Sequence, residues 1–165
     1  MKTVLKVLGI LFGCLVLSLV GASITGFEPH GRTPGLWLKG DLVTTPITDW
    51  SFTDTIETVK IQTNTQFLIP HSVTTYCISF NGQLYLTSLY RKGQEYPKGR
   101  GWNTDVARDP NVRIKIGDKV YDRRLSFVTD PDEYAAAFQA KRKKYPQQKI
   151  PEGARFMIFH VMDRS

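Results

Sequence analysis

The sequence predicts a mainly β, α+β domain: a small antiparallel barrel capped by two helices and preceded by an N-terminal apolar helix. Three observations carry this. Alternating β-branched runs recur from residue 58 onward; Asn81-Gly82 sits between two of them; and residues 7–20 are unbroken by any charge. The 165 residues suffice for one hydrophobic core.

The apolar segment begins after Lys2 and Lys6, and the next charge is Glu28. A basic start followed by a long apolar stretch is the layout of a secretory signal or of a single membrane anchor. Both readings stand. Val20-Gly21-Ala22 offers a small-residue cleavage site, but Val20 is larger than such sites favour, and Gly26-Phe27 prolongs the uncharged region. These residues lean toward the anchor. Leu11-Phe12-Gly13-Cys14 does not make a lipoprotein signal, because Phe12 fits poorly and the apolar run continues past Cys14. With Lys2 and Lys6 on the cytoplasmic side, the rest of the chain lies outside the cytoplasm, whether anchored or exported. Residues 1–26 are thus read as signal or anchor, 27–56 as a linker with an edge segment, and 57–165 as the barrel domain.

Within the linker, residues 28–35 carry Pro29, Pro34, Gly31 and Gly35. Residues 36–38 are expected to form a first edge strand, and residues 41–54 a loop with one short strand. Residues 58–63 alternate and read as a strand. Residues 71–80 and 84–89 are two more, joined at Asn81-Gly82; this dipeptide between alternating runs predicts a tight hairpin. Residues 102–107 are expected to make a helical turn, stopped by Asp109-Pro110. Residues 112–116 and 120–128 form a strand pair across Gly117-Asp118. Thr129-Asp130-Pro131-Asp132-Glu133 is a helix start, with a capping residue, a proline and acids in the first turn. That helix runs over residues 131–144, turns Tyr134, Ala137 and Phe138 to the core, and stops at Tyr145-Pro146. Residues 155–162 close the sheet.

The net charge is +7. The excess gathers at residues 91–100 and in Lys141-Arg142-Lys143-Lys144. Such clusters suit nucleic acid, anionic lipid or a phosphate-bearing ligand; an exported domain excludes nucleic acid. Cys14 lies in the apolar segment, which leaves Cys77 as the domain's one thiol, expected as a small core residue. His30, His71 and His160 are scattered and no cysteine pair has zinc spacing, so no metal site is expected.

Three stretches carry a resemblance. Residues 82–88 run from a glycine turn into a strand that ends on a small hydroxyl residue. Pro97-Lys98-Gly99-Arg100-Gly101-Trp102-Asn103 follows, and then Arg108-Asp109-Pro110-Asn111-Val112. In this order, they resemble the deazaflavin-dependent nitroreductase-like and pyridoxamine phosphate oxidase-like proteins of the split β-barrel superfamily, over about residues 57–162. The resemblance implies a split barrel, a flavin mononucleotide or deazaflavin cofactor, oxidoreductase-like activity and a homodimer. It places Arg91, Lys92, Lys98 and Arg100 toward the cofactor's phosphate, with Ser88 as a hydroxyl donor. Trp102 is placed against its ring or in the barrel wall, and His71 faces the pocket.

One departure opens a second reading. The family's phosphate loop between the first two core strands is basic and glycine-rich, and residues 64–71 here hold no Lys, Arg or Gly. The alternative is a barrel without cofactor or catalysis that binds a ligand or partner through the same groove. The sequence names no catalytic residue.

Overall fold

The computed structural model describes residues 2–67, 69–99 and 101–164. Helix α1, Lys2–Thr25, is apolar all round and buries none of its residues against the rest of the chain. It is long and apolar enough to cross a membrane.

The sheet is built from β1 (Asp41–Leu42), β2 (Thr58–Thr63), β3 (His71–Phe80), β4 (Gln83–Tyr90), β5 (Asn111–Ile116), β6 (Lys119–Phe127) and β7 (Arg155–Asp163). Its order is β1-β6-β5-β2-β3-β4-β7, and β7 pairs again with β6. That last pairing closes strands β2 to β7 into an antiparallel barrel. β6 is shared along its length: its start, Lys119 and Val120, bonds β1, while Arg123 to Phe127 bond β7. β1 therefore covers the edge that β7 leaves.

The strands obey the period of two. β2 buries Val59, Ile61 and Thr63, and β5 buries Val112, Ile114 and Ile116. These meet Leu84, Leu86, Tyr121, Met157 and Phe159 in the barrel interior. β4 is buried at five successive positions, because its inner face lines the barrel and its outer face lies beneath a helix. The β3–β4 turn takes the expected form. Asn81 has φ 49° and Gly82 φ 73°, the left-handed pair that a two-residue hairpin needs.

Helix α2, Gly101–Arg108, joins β4 to β5, and α3, Pro131–Lys144, joins β6 to β7. The Asp130 side chain accepts from the Glu133 amide at 2.8 Å, with Pro131 behind it. α3 seals a second apolar cluster of Ile78, Tyr85, Val128, Ala137, Phe156 and Ile158, with Tyr134 and Phe138 packed against it. Cys77 is buried in the main core.

One sequence expectation needs correction. Residues 36–38 form no edge strand. The Leu36 amide donates to the Phe27 carbonyl and the Leu38 amide to Gln62 Oε1, so the backbone donors are already used. Only Gly35 bridges the sheet, exchanging both backbone hydrogen bonds with Ser72. The short strand expected within 41–54 is β1, a parallel one. It is followed by a 3-10 helix, Ser51–Thr55, that buries Trp50 in the core.

Residues 27–56 lie strapped on the barrel. Lys60 and Lys115 face each other across β2 and β5, a like-charge pair that costs energy by itself. Glu28 answers it, taking Lys60 on one carboxylate oxygen and Lys115 on the other, both at 2.5 Å. Partial burial would raise this carboxyl, but the hydrogen bonds from Lys115 and Lys60 outweigh it and hold the pKa below its ordinary value.

Candidate functional site

The basic loop after β4 and the helix that follows it stand beside the first residues of β3, His71 to Thr74. The N-terminal strap passes on the other side, where His30 and Thr33 bond each other and set Arg32 at the tip of a turn. Between them lies a cleft of about 480 Å³ lined by Gly31, Arg32, Thr33, Val73, Thr74, Arg91 and Trp102. Two arginines and two threonines lining one cleft are residue types suited to an anion.

The expected site residues separate into three groups. Arg91 and Trp102 line this cleft, and Arg91 is exposed. Trp102 gives the cleft only an edge: it is 6% exposed and packs in the core, its ring 5.3 Å from Phe159. Ser88 and His71 lie around α2. Ser88 is buried and its Oγ accepts from Asn103 Nδ2 at 3.0 Å. The Asn103 Oδ1 beside it is buried without a hydrogen-bond partner among the described residues. His71 packs by the start of α2 near Gly101, its Nδ1 3.7 Å from Asp105 Oδ2, which also accepts from Thr63 at 2.8 Å. Lys92 and Lys98 do not line the cleft. Lys92 is exposed with its stem packed toward Gly153, and Lys98 is exposed in the loop. Arg100 falls outside the described residues.

The loop itself is folded firmly. Gln94 bonds Arg91 through both backbone and side chain, and Tyr96 stacks on Phe127 at 5.2 Å. Burial pushes the Tyr96 phenol up. This packing turns Tyr96 inward and leaves the cations at the surface.

Arg32 is the residue that sequence reasoning missed. It lies in a stretch read as linker, and its place on the cleft follows from the Gly35–Ser72 bridge rather than from any local motif. Residues 64–71 likewise gain a cation from elsewhere, because Arg108 of α2 donates to the Asn64 carbonyl. Asn64 also donates to Asp109 at 2.7 Å. Burial raises the Asp109 carboxyl, but the hydrogen bonds from Asn64 and Asn111 prevail and keep it below the usual range. Among the described residues no group of three or more His, Cys, Asp or Glu is placed to hold a metal ion.

No family model matches the chain, and no curated protein matches it. Solved structures do. A conserved hypothetical protein from Mycobacterium tuberculosis is similar with a TM-score of 0.53 at 14% identity, over 78% of this chain and 86% of that one. The heme storage protein HutZ from Vibrio cholerae is similar at 0.50 and 10% identity, over 70% and 87%. A FAD-binding protein from Mesorhizobium loti is similar at 0.45 and 14% identity, over 70% and 84%. What the chain shares with these structures is a fold, here a closed antiparallel barrel of six strands with one further strand outside. At these identities the likeness is one of fold.

Proposed function

We propose that this chain is a membrane-anchored, flavin- or deazaflavin-binding, oxidoreductase-like split-barrel protein. In this reading residues 1–26 are the anchor, residues 57–165 the barrel, and the domain lies outside the cytoplasm. The observation that carries the ligand reading is the pairing of Arg32 and Arg91 on one cleft with Thr33, Thr74 and the edge of Trp102. The residues fit the phosphate end of such a cofactor. Arg32 takes the place of the cations that residues 64–71 lack, and the two hydroxyls add donors. Arg91 and Arg32 would bind and orient the phosphate, while Trp102 would bound the cofactor with its edge alone. When bound, the cofactor supplies the redox chemistry. A homodimer accompanies this reading as a family expectation, read by light scattering of the purified protein.

A visible absorption spectrum of protein purified from a host that makes both cofactors tests the proposal. Titration with flavin mononucleotide and with a deazaflavin then measures affinity. Arg32→Ala and Arg91→Ala should each weaken binding by about 1.5–3 kcal/mol, the worth of a charge-assisted hydrogen bond. A folded protein that binds neither cofactor at high micromolar concentration overturns it. The second reading, a non-catalytic binding barrel, is favoured by the burial of Trp102 against Phe159.

A further inference from the structure

The connection between α1 and the barrel has almost no slack. The Gly26 amide still bonds back to Ala22 at 2.9 Å, as in a helix, and the very next residue is tied to the strap. Phe27 donates to the Trp37 carbonyl at 3.0 Å, and its own carbonyl accepts from Leu36 at 2.6 Å. Gly35 lies so close behind that a Cβ there would collide with the Phe27 carbonyl oxygen. Glu28 then clamps Lys60 and Lys115. From the last helical residue, Thr25, to the first strapped one is a span of two residues, roughly 7 Å fully extended. A helix of 24 residues measures about 36 Å against a hydrocarbon core of about 30 Å. With α1 across a bilayer, the barrel cannot stand away from the surface.

The surface at this junction has the composition of an interfacial layer. Phe27 is 53% exposed directly below the helix. Lys39 is exposed, and its stem lies against Gly26 at the helix C-terminus, where a cation is favoured. Trp37 is half-buried, whereas Trp50 and Trp102 are closed off in the core. Aromatic rings and lysine stems are the side chains that settle at headgroup level.

We propose that the barrel is seated on the membrane through residues 26–39, with Phe27, Trp37 and Lys39 in the phospholipid headgroup layer. This rests on the reading of α1 as an uncleaved anchor. The seat fixes the barrel's orientation to the membrane plane.

The test uses the full-length protein reconstituted into phosphatidylcholine–phosphatidylglycerol vesicles, some carrying a quencher at headgroup depth. Quenching of tryptophan emission is expected, and Trp37→Phe should remove at least about two-thirds of the quenched signal, since the two remaining tryptophans are enclosed. A flexible insertion of about ten Gly and Ser residues between Gly26 and Phe27, which adds a reach on the order of 17 Å, should lower the quenching at least two-fold with near-ultraviolet circular dichroism unchanged. Protein that floats with the vesicles but shows no quenching of Trp37 overturns the seat and leaves the anchor standing. Quenching unchanged by the insertion also overturns it. Protein that no longer floats, with an intact mass showing loss of the first two dozen or so residues, overturns the anchor reading and the seat with it.

Discussion

The two basic clusters of this chain look alike in sequence and have opposite fates in the fold. In the loop of residues 91–100, the described cations Arg91, Lys92 and Lys98 stay at the surface, and of these three it is Arg91 that lines the cleft. In the run 141–144 on α3, Arg142 and Lys143 are exposed, but Lys141 and Lys144 turn inward. Lys141 is 1% exposed. Its ammonium donates to Thr87 at 2.9 Å and sits 4.6–4.8 Å from the ring centres of Tyr76, Tyr145 and Phe156. Lys144 donates to the Thr53 and Cys77 carbonyls, and Tyr145 to the Glu57 and Cys77 carbonyls. Helical spacing explains the contrast. Positions three apart share a face, so a helix lying on the barrel draws in two of four consecutive cations. A loop has no such period, and its cations follow the solvent. Charge alone therefore does not mark a binding surface.

The sharpest break of this contrast is at Lys141. Lys141→Ala removes a stem packed among three rings and leaves a void, at a cost of about 3 kcal/mol in unfolding free energy. Lys141→Met keeps the volume and discards the charge, so it should change stability by less than about 1.5 kcal/mol. If both variants lose the same amount in denaturant titrations, the ammonium rather than the stem is what the site needs.

The next largest effect is one of pH. Burial depresses the Lys141 ammonium pKa to about 8, against an ordinary value of 10.5. The unfolded chain thus binds the extra proton between these values, so stability gained from this group rises with pH across that window. The burial penalty is present in full below about 8 and fades toward 10.5. Tyr145 and Cys77 act in the opposite sense above about 9, because burial raises both of them. The difference between wild type and Lys141→Met isolates the lysine. It should shift in favour of wild type by about 3 kcal/mol across the window, and a flat difference curve removes the buried-ammonium account.

The smallest effects belong to the loop. Lys92→Ala and Lys98→Ala should alter unfolding free energy by no more than about 0.5 kcal/mol. They should also leave cofactor affinity nearly unchanged, in contrast with Arg91→Ala. A loss at Lys98 as large as that at Arg91 would show that the whole loop, rather than the cleft, gathers the anion.

Much of the barrel was legible because strands announce themselves through alternation. The β3–β4 hairpin follows from Asn81-Gly82, and α3 begins and ends where its cap, its proline and Tyr145-Pro146 place it. What escaped is held by pairs far apart in the chain. Leu38 is enclosed through Gln62, Glu28 spans to Lys60 and Lys115, and Arg32 reaches the cleft through the Gly35–Ser72 bridge. No local pattern records such contacts. For Trp102 the sequence leaves two places open, a ligand's ring or the barrel wall; the structure packs its ring against Phe159 of β7, a contact between residues far apart in the chain.

The closing strand sets an order of events in time. β7 pairs with β4 on one side and β6 on the other. A growing chain that has reached residue 154 therefore holds two open strand edges that nothing in it can satisfy. Open edges invite pairing with other chains, and joining residue 85 to residue 160 is a slow, non-local step. With α1 delivered to a membrane first, each copy would wait for its last strand while tethered beside whatever synthesised or translocated it.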